Sequence, residues 1–292
     1  MKNKCIQITL TLCLVLFGNS LYAKESTWPD KISFGVVPVA GSSSMKKMFS
    51  GLTSYLEKSL EIKIKLQMAG DYTGVISAMQ HKHIEFAYLG PKSYVEAAKR
   101  AGAEVIVAEV SSNMDTPGYY GLILSKKGSG LHTIESLKGK RWAFTSSNST
   151  SGTLLPMIYF LKVGIQPKEY FSKVLYSGGH EASILSLKAG RIDAIATNTL
   201  DFSRGVGRHW KKDDFNIIRT SQMIPSSLIA VRSDIPETLK VALKEALLSY
   251  KEKEGLSKMN IKRFESVKDS QYDSIRELIV MKKNWKNNHA KN

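Results

Sequence analysis

Seven consecutive small or polar residues, Ser146-Ser147-Asn148-Ser149-Thr150-Ser151-Gly152, bring many hydrogen-bond donors together. A strand over Arg141–Phe144 precedes them. A helix over Thr153–Val163 follows, closed by Gly164 with Pro167 beyond. The hydroxyls of Ser149, Thr150 and Ser151 and the free N–H groups of the helix start then point the same way. The helix dipole favours negative charge there. A tetrahedral oxyanion with several acceptor oxygens fits this arrangement, and so does a plain N-cap in a polar loop. Pro156 requires that it sit in the first helical turn or kink the helix.

Three other strand-to-helix junctions add chemistry. In Ser177-Gly178-Gly179-His180-Glu181-Ala182-Ser183 the glycines allow close backbone approach, and His180 lands at a helix start, as an anion donor or as a cap. In Ala69-Gly70-Asp71-Tyr72-Thr73-Gly74 the phenol of Tyr72 is either a donor or a core group. Asn198-Thr199-Leu200-Asp201 brings a carboxylate towards the same cleft. No catalytic constellation accompanies them: there is no Gly-x-Ser-x-Gly elbow, P-loop or His-Glu-x-x-His. His81, His83 and His180 do not form a metal-ligand spacing. The chain therefore reads as a binding protein, not an enzyme, with no cofactor and no metal.

The elements that must position these residues alternate. Ile32–Val37, Ile62–Leu66, Ile84–Leu89 and Val105–Ala108 read as strands. Helices over Met45–Leu60, Tyr72–Gln80 and Ser93–Arg100 lie between them. A second series starts near Pro117 and ends with a strand over Phe215–Thr220. Leu228–Val231 and a helix over Pro236–Leu248 return to the first unit. This is the pattern of two α/β units with mostly parallel sheets flanked by helices. Ligands in such sheets sit at the carboxyl ends of strands.

The N-terminus sets the compartment. Lys2 and Lys4 precede an apolar run from Leu10 to Phe17, and Leu21-Tyr22-Ala23 ends in a small residue, the order of a secretory signal peptide. Cleavage near Ala23 and a periplasmic mature protein are expected. Both cysteines, Cys5 and Cys13, fall inside that segment, so the mature chain has no thiol for a disulfide, a metal or a nucleophile. The 292-residue chain carries a formal charge of +16, which biases encounters towards anions without implying nucleic acid. The lysines at 282, 283, 286 and 291 read as a solvated, fraying tail.

The sequence resembles the phosphate-, phosphite- and phosphonate-binding proteins of ABC importers. The resemblance is carried by Phe34-Gly35-Val36-Val37-Pro38, Phe86-Ala87-Tyr88-Leu89-Gly90-Pro91, Pro117-Gly118-Tyr119-Tyr120, Asn148-Ser149-Thr150-Ser151-Gly152, Gly179-His180-Glu181-Ala182-Ser183 and Arg191-Ile192-Asp193-Ala194. It implies a type II periplasmic binding fold with two lobes and a closing hinge, and the element pattern bounds lobe one at 24–116 plus 225–292 and lobe two at 117–224. It implies that Tyr72, Ser149, Thr150, Ser151 and His180 contact the oxygens of a phosphorus oxyanion. It implies that Glu181 faces a ligand ammonium where one is present. The second acidic position of aminophosphonate binders falls on Leu200, with Asp201 next to it. The implied partner is an ABC permease, served by a monomeric receptor. The alternative is a sensory subunit with the same clamp, docking on a receptor kinase or chemoreceptor.

Overall fold

The computed structural model describes residues 24–289. The expected signal peptide, both cysteines and Lys291 lie outside them. Strand β1 (Lys31–Val36) leads into α1 (Ser42–Leu60), whose Met45, Met48, Phe49, Leu52, Leu56 and Leu60 recur every three or four residues and are all buried. In β2 (Lys63–Met68) the lysines at 63 and 65 face solvent while Ile64 is buried, because successive strand side chains alternate. Helix α2 (Tyr72–Gln80), β3 (Phe86–Leu89), α3 (Pro91–Ala101) and β4 (Ala103–Ser111) complete the first passage. The core of this lobe is centred on Phe34, Phe49, Phe86 and Tyr88, with the Phe34 and Phe86 rings stacked 4.5 Å apart.

The chain then crosses to a second sheet through β5 (Tyr119–Lys126) and β6 (Arg141–Phe144). A single π-turn, Thr150–Leu154, opens α4 (Leu155–Lys162). Next come α5 (Pro167–Tyr170), β7 (Lys173–Tyr176), α6 (His180–Lys188), β8 (Ala194–Asn198), α7 (Thr199–Gly205) and β9 (Phe215–Ile224). Alternation along β6 divides this core in two: Trp142 and Phe144 pack with Phe160 and Phe171 on one face, and Ala143 packs with Ile184 and Leu187 on the other. The chain returns through β10 (Leu228–Arg232), α8 (Glu237–Ser249), α9 (Lys253–Met259), β11 (Ile261–Ser266) and α10 (Asp273–His289).

Strand orders are β11-β4-β10-β3-β1-β2 and β7-β6-β8-β5-β9. The sheets are mixed, with most strands of each running the same way. β1, β2 and β3 are parallel, as are β6, β7 and β8, but β10 runs antiparallel to β3 and β4, and β5 runs antiparallel to β8 and β9. Parallel neighbours need a long crossover, usually a helix. The strands that pass between lobes, β4 into β5 and β9 into β10, have no helix between them. They pair side by side in opposite directions, β4 with β10 and β5 with β9. Ile275 of α10 is buried against Leu154 and Ile158, with Val95 of the first lobe alongside, so α10 packs on both lobes.

Candidate ligand-binding site

The local sequence explains the shape of the 146–154 turn. Ser149 is the N-cap, its hydroxyl accepting from Gly152 N at 3.0 Å. Leu154 N reaches back to Ser149 O at 3.1 Å, the five-residue bond of a π-turn. Pro156 has no N–H to give the carbonyl of residue 152. Gly152 O instead accepts from Thr145 N at 3.0 Å. A Cβ at 152 would lie 2.1 Å from Thr145 Oγ1, so only glycine fits against the end of β6.

Each of the three hydroxyls already accepts a protein hydrogen bond. Ser149 accepts from Gly152 N, Thr150 Oγ1 accepts from Lys92 N at 2.8 Å, and Ser151 Oγ accepts from Asn198 Nδ2 at 3.1 Å. A hydroxyl whose oxygen is engaged in this way still has its O–H to donate. All three are buried. Lys92 is the second residue of α3, so its bond to Thr150 joins the two lobes.

Three helices begin at this point: Thr150, Tyr72 and His180 are each the first residue of a π or α element. Their positive dipole ends and orphan N–H groups converge. The Tyr72 phenol lies beside Ser149, and that of Tyr119 beside Ser151 and Thr150. Burial, with Asp201 nearby, pushes both phenols well above their usual range, so both remain O–H donors. His180 Nδ1 is 3.0 Å from Thr197 Oγ1, and Nε2 is 3.3 Å from Ser149 Oγ and from Asn198 Nδ2. Burial holds the imidazole pKa below its ordinary value, opposed by Asp201 and reinforced by Arg204. The arrangement gathers buried hydroxyls, phenols and helix starts, a donor set suited to holding an oxyanion.

Glycines also set how closely the lobes approach. A Cβ at Gly179 would lie 2.5 Å from Pro38 O of the first lobe. Asn148 Nδ2 donates to Thr73 Oγ1 at 3.2 Å, and Lys92 Nζ donates to Ser147 O. The cleft is closed by such bonds.

The profile of the ABC transporter phosphonate periplasmic substrate-binding proteins matches residues 34–272. The chain belongs to this family. It is 27% identical over 261 residues to the phosphonates-binding periplasmic protein of Escherichia coli, covering 86% of this chain and 76% of that one. It is 25% identical over 302 residues to a phosphate-import protein of Mycolicibacterium smegmatis, covering 92% and 94% respectively. It superposes with a TM-score of 0.82 and 25% identity on a binding protein component of an ABC phosphonate transporter from Pseudomonas aeruginosa, covering 87% of each chain. Family, fold and role as an importer's substrate-binding component agree with the resemblance read from the sequence, and these relatives lend nothing to the sensory alternative.

Within this phosphonate-binding family member, the expected site residues divide. Tyr72, Ser149, Thr150, Ser151 and His180 come together. Asp201 adjoins them: its Oδ2 is 3.7 Å from His180 Nε2 and accepts from Asn198 Nδ2 at 2.7 Å. Leu200 turns away to pack with Tyr119, Ile224 and Leu155, as a helical step requires. Glu181 lies to one side of these donors. Its Oε2 accepts from Gly41 N, and its Oε1 lies 3.3 Å from His209 Nε2, so it fastens one lobe to the other outside the cradle.

Sequence reasoning missed Tyr119, Asn198, Glu109 and Arg204. The buried Arg204 donates to Asp201 Oδ1 at 2.8 Å, to Glu109 Oε2 at 2.9 Å, to Tyr88 OH at 3.0 Å and to Met259 O at 3.0 Å. Burial drives the Glu109 carboxyl upward against the pull of Arg204. The guanidinium would be lowered by burial, but Glu109, Tyr88 and Asp201 outweigh this and hold it charged. A signal existed. Glu109 is a lone carboxylate in the apolar strand Val105–Val110, and a buried charge demands a partner.

Proposed function

We propose that this chain captures a small phosphorus oxyanion, a phosphonate, phosphite or phosphate, and delivers it to the permease of an ABC importer. Ser149, Thr150, Ser151, Tyr72, Tyr119 and His180 donate to the anion's oxygens. The observation that carries this reading is that three buried hydroxyls, each engaged as an acceptor by Gly152 N, Lys92 N and Asn198 Nδ2, retain an O–H to donate beside the phenols of Tyr72 and Tyr119. A buried anion has lost its water, and each oxygen needs a replacement donor. The mature protein starts near Lys24, works in the periplasm as a monomer and performs no catalysis. Its lobes, 24–116 plus 225–292 and 117–224, close on the ligand about the two connections between sheets.

The test is a thermal-shift panel of phosphate, phosphite, methylphosphonate, ethylphosphonate and 2-aminoethylphosphonate, followed by calorimetric titration. A ligand that binds only the native state raises its melting temperature. At least one of these anions should bind and sulfate should not compete; no shift with any of them at millimolar concentration would remove the reading.

A further inference from the structure

We propose that Arg204 restricts this site to phosphorus oxyanions whose substituent carries no positive charge, because its guanidinium already occupies the carboxylates that an alkylammonium tail would need. This rests on the ligand reading above and narrows it.

Asp201 is the carboxylate nearest the cradle, 3.7 Å from His180 Nε2 and linked to Ser151 through Asn198. Both of its oxygens are already engaged: Oδ1 accepts from Arg204 and Oδ2 from Asn198. Glu109, on the far side of the guanidinium, is engaged as well. Its Oε1 accepts from Tyr88 OH at 2.9 Å and from Arg204 at 3.1 Å, and its Oε2 accepts from Arg204 at 2.9 Å. The third carboxylate in this region, Glu181, is held by Gly41 N and His209. An ammonium arriving beside the cradle would have to share these carboxylates with Arg204 and Asn198. It would also be buried next to a like charge, which solvent screens poorly there.

The space beyond gives such a tail no refuge. A half-open cavity of about 220 Å³ lies past Asp201 and Arg204, and its wall sets Lys47, Arg204, Arg208 and Lys258 against Glu181 and Asp201, an excess of positive charge. A neutral substituent meets none of these penalties. Arg204 also makes its bonds to Glu109, Tyr88 and Met259 O across the cleft, so the cation that fills the subsite belongs to the closed arrangement itself.

The experiment compares ethylphosphonate with 2-aminoethylphosphonate, which differ in the terminal ammonium, by calorimetric titration of the mature protein. Native protein should prefer ethylphosphonate by at least roughly 10-fold, the cost of one charged group left without its bonds. Arg204→Ala, which frees Asp201 and Glu109, should shift that ratio towards the aminated ligand by at least about 10-fold. Arg204→Lys retains a cation and should keep the native preference. Equal affinities in native protein, within about threefold, overturn the proposal while leaving the oxyanion reading intact; so does an unchanged ratio in folded Arg204→Ala. If Arg204→Ala does not fold, the native comparison decides alone. Absence of binding to every phosphorus anion, including phosphate and phosphite, overturns the ligand reading itself and this proposal with it.

Discussion

Replacing Thr150 by valine removes one hydroxyl and keeps the volume. In this structure that hydroxyl accepts from Lys92 N at 2.8 Å across the cleft, which leaves its hydrogen for the proposed ligand. Two losses follow. A charge-assisted donor to a buried anion is worth about 1.5–3 kcal/mol. A buried N–H left without an acceptor costs a further ~1–3 kcal/mol. The second loss is smaller in the open protein, where water reaches Lys92 N, so both weaken closure on the ligand more than they weaken the fold. Valine leaves no room for a rescuing water. Taking about 3 kcal/mol as the net loss, affinity should fall roughly 100-fold, since each 1.4 kcal/mol is tenfold. Thr150→Ser keeps the hydroxyl and should bind within about threefold of native protein, since only the methyl is lost. The assay is calorimetric titration with the tightest anion of the panel, with the melting temperature of ligand-free protein as the control for folding. A folded Thr150→Val that binds as tightly as native protein would refute the assignment of this turn as the cradle.

Gly179→Ala should leave the ligand-free melting temperature within about 2 °C of native, because residue 179 is extended (φ −156°) and the clash with Pro38 O is between lobes. Affinity should nevertheless fall more than about tenfold by titration, the new Cβ holding the cleft ajar; an unchanged affinity would show that closure does not bring 179 against Pro38. Tyr72→Phe removes a phenolic donor and should weaken binding by about 10-fold, read by the same titration. His180 gives a pH signature in ligand-free protein. Its folded pKa is lowered, so below the unfolded value of 6.5 the unfolded chain takes up more protons. Stability is full above that pH and is lost as pH falls from 6.5 through the folded pKa. Thermal melts from pH 7.5 to 5 should therefore fall more steeply for native protein than for His180→Gln; parallel curves would contradict a buried neutral imidazole.

The sequence determined most of the elements, because side-chain period is a local property. The stripe from Met45 to Leu60 and the alternation around Ile64 can be read from neighbours a few residues away. The donor turn was legible for the same reason: Ser149, Gly152 and Pro156 shape one another within eight residues. Tertiary structure decided what those elements do together. Arg204 and Glu109 are 95 residues apart and meet only because α7 of one lobe closes over β4 of the other. Glu181 and His180 are adjacent in sequence, yet one turns to Gly41 and the other to Ser149. Neighbours on a helix differ by about 100° in direction, so adjacency puts two side chains at different partners. The mixed sheets have a similar origin: strand direction is fixed by where the chain must go next, here twice from lobe to lobe, and local sequence period does not record that route.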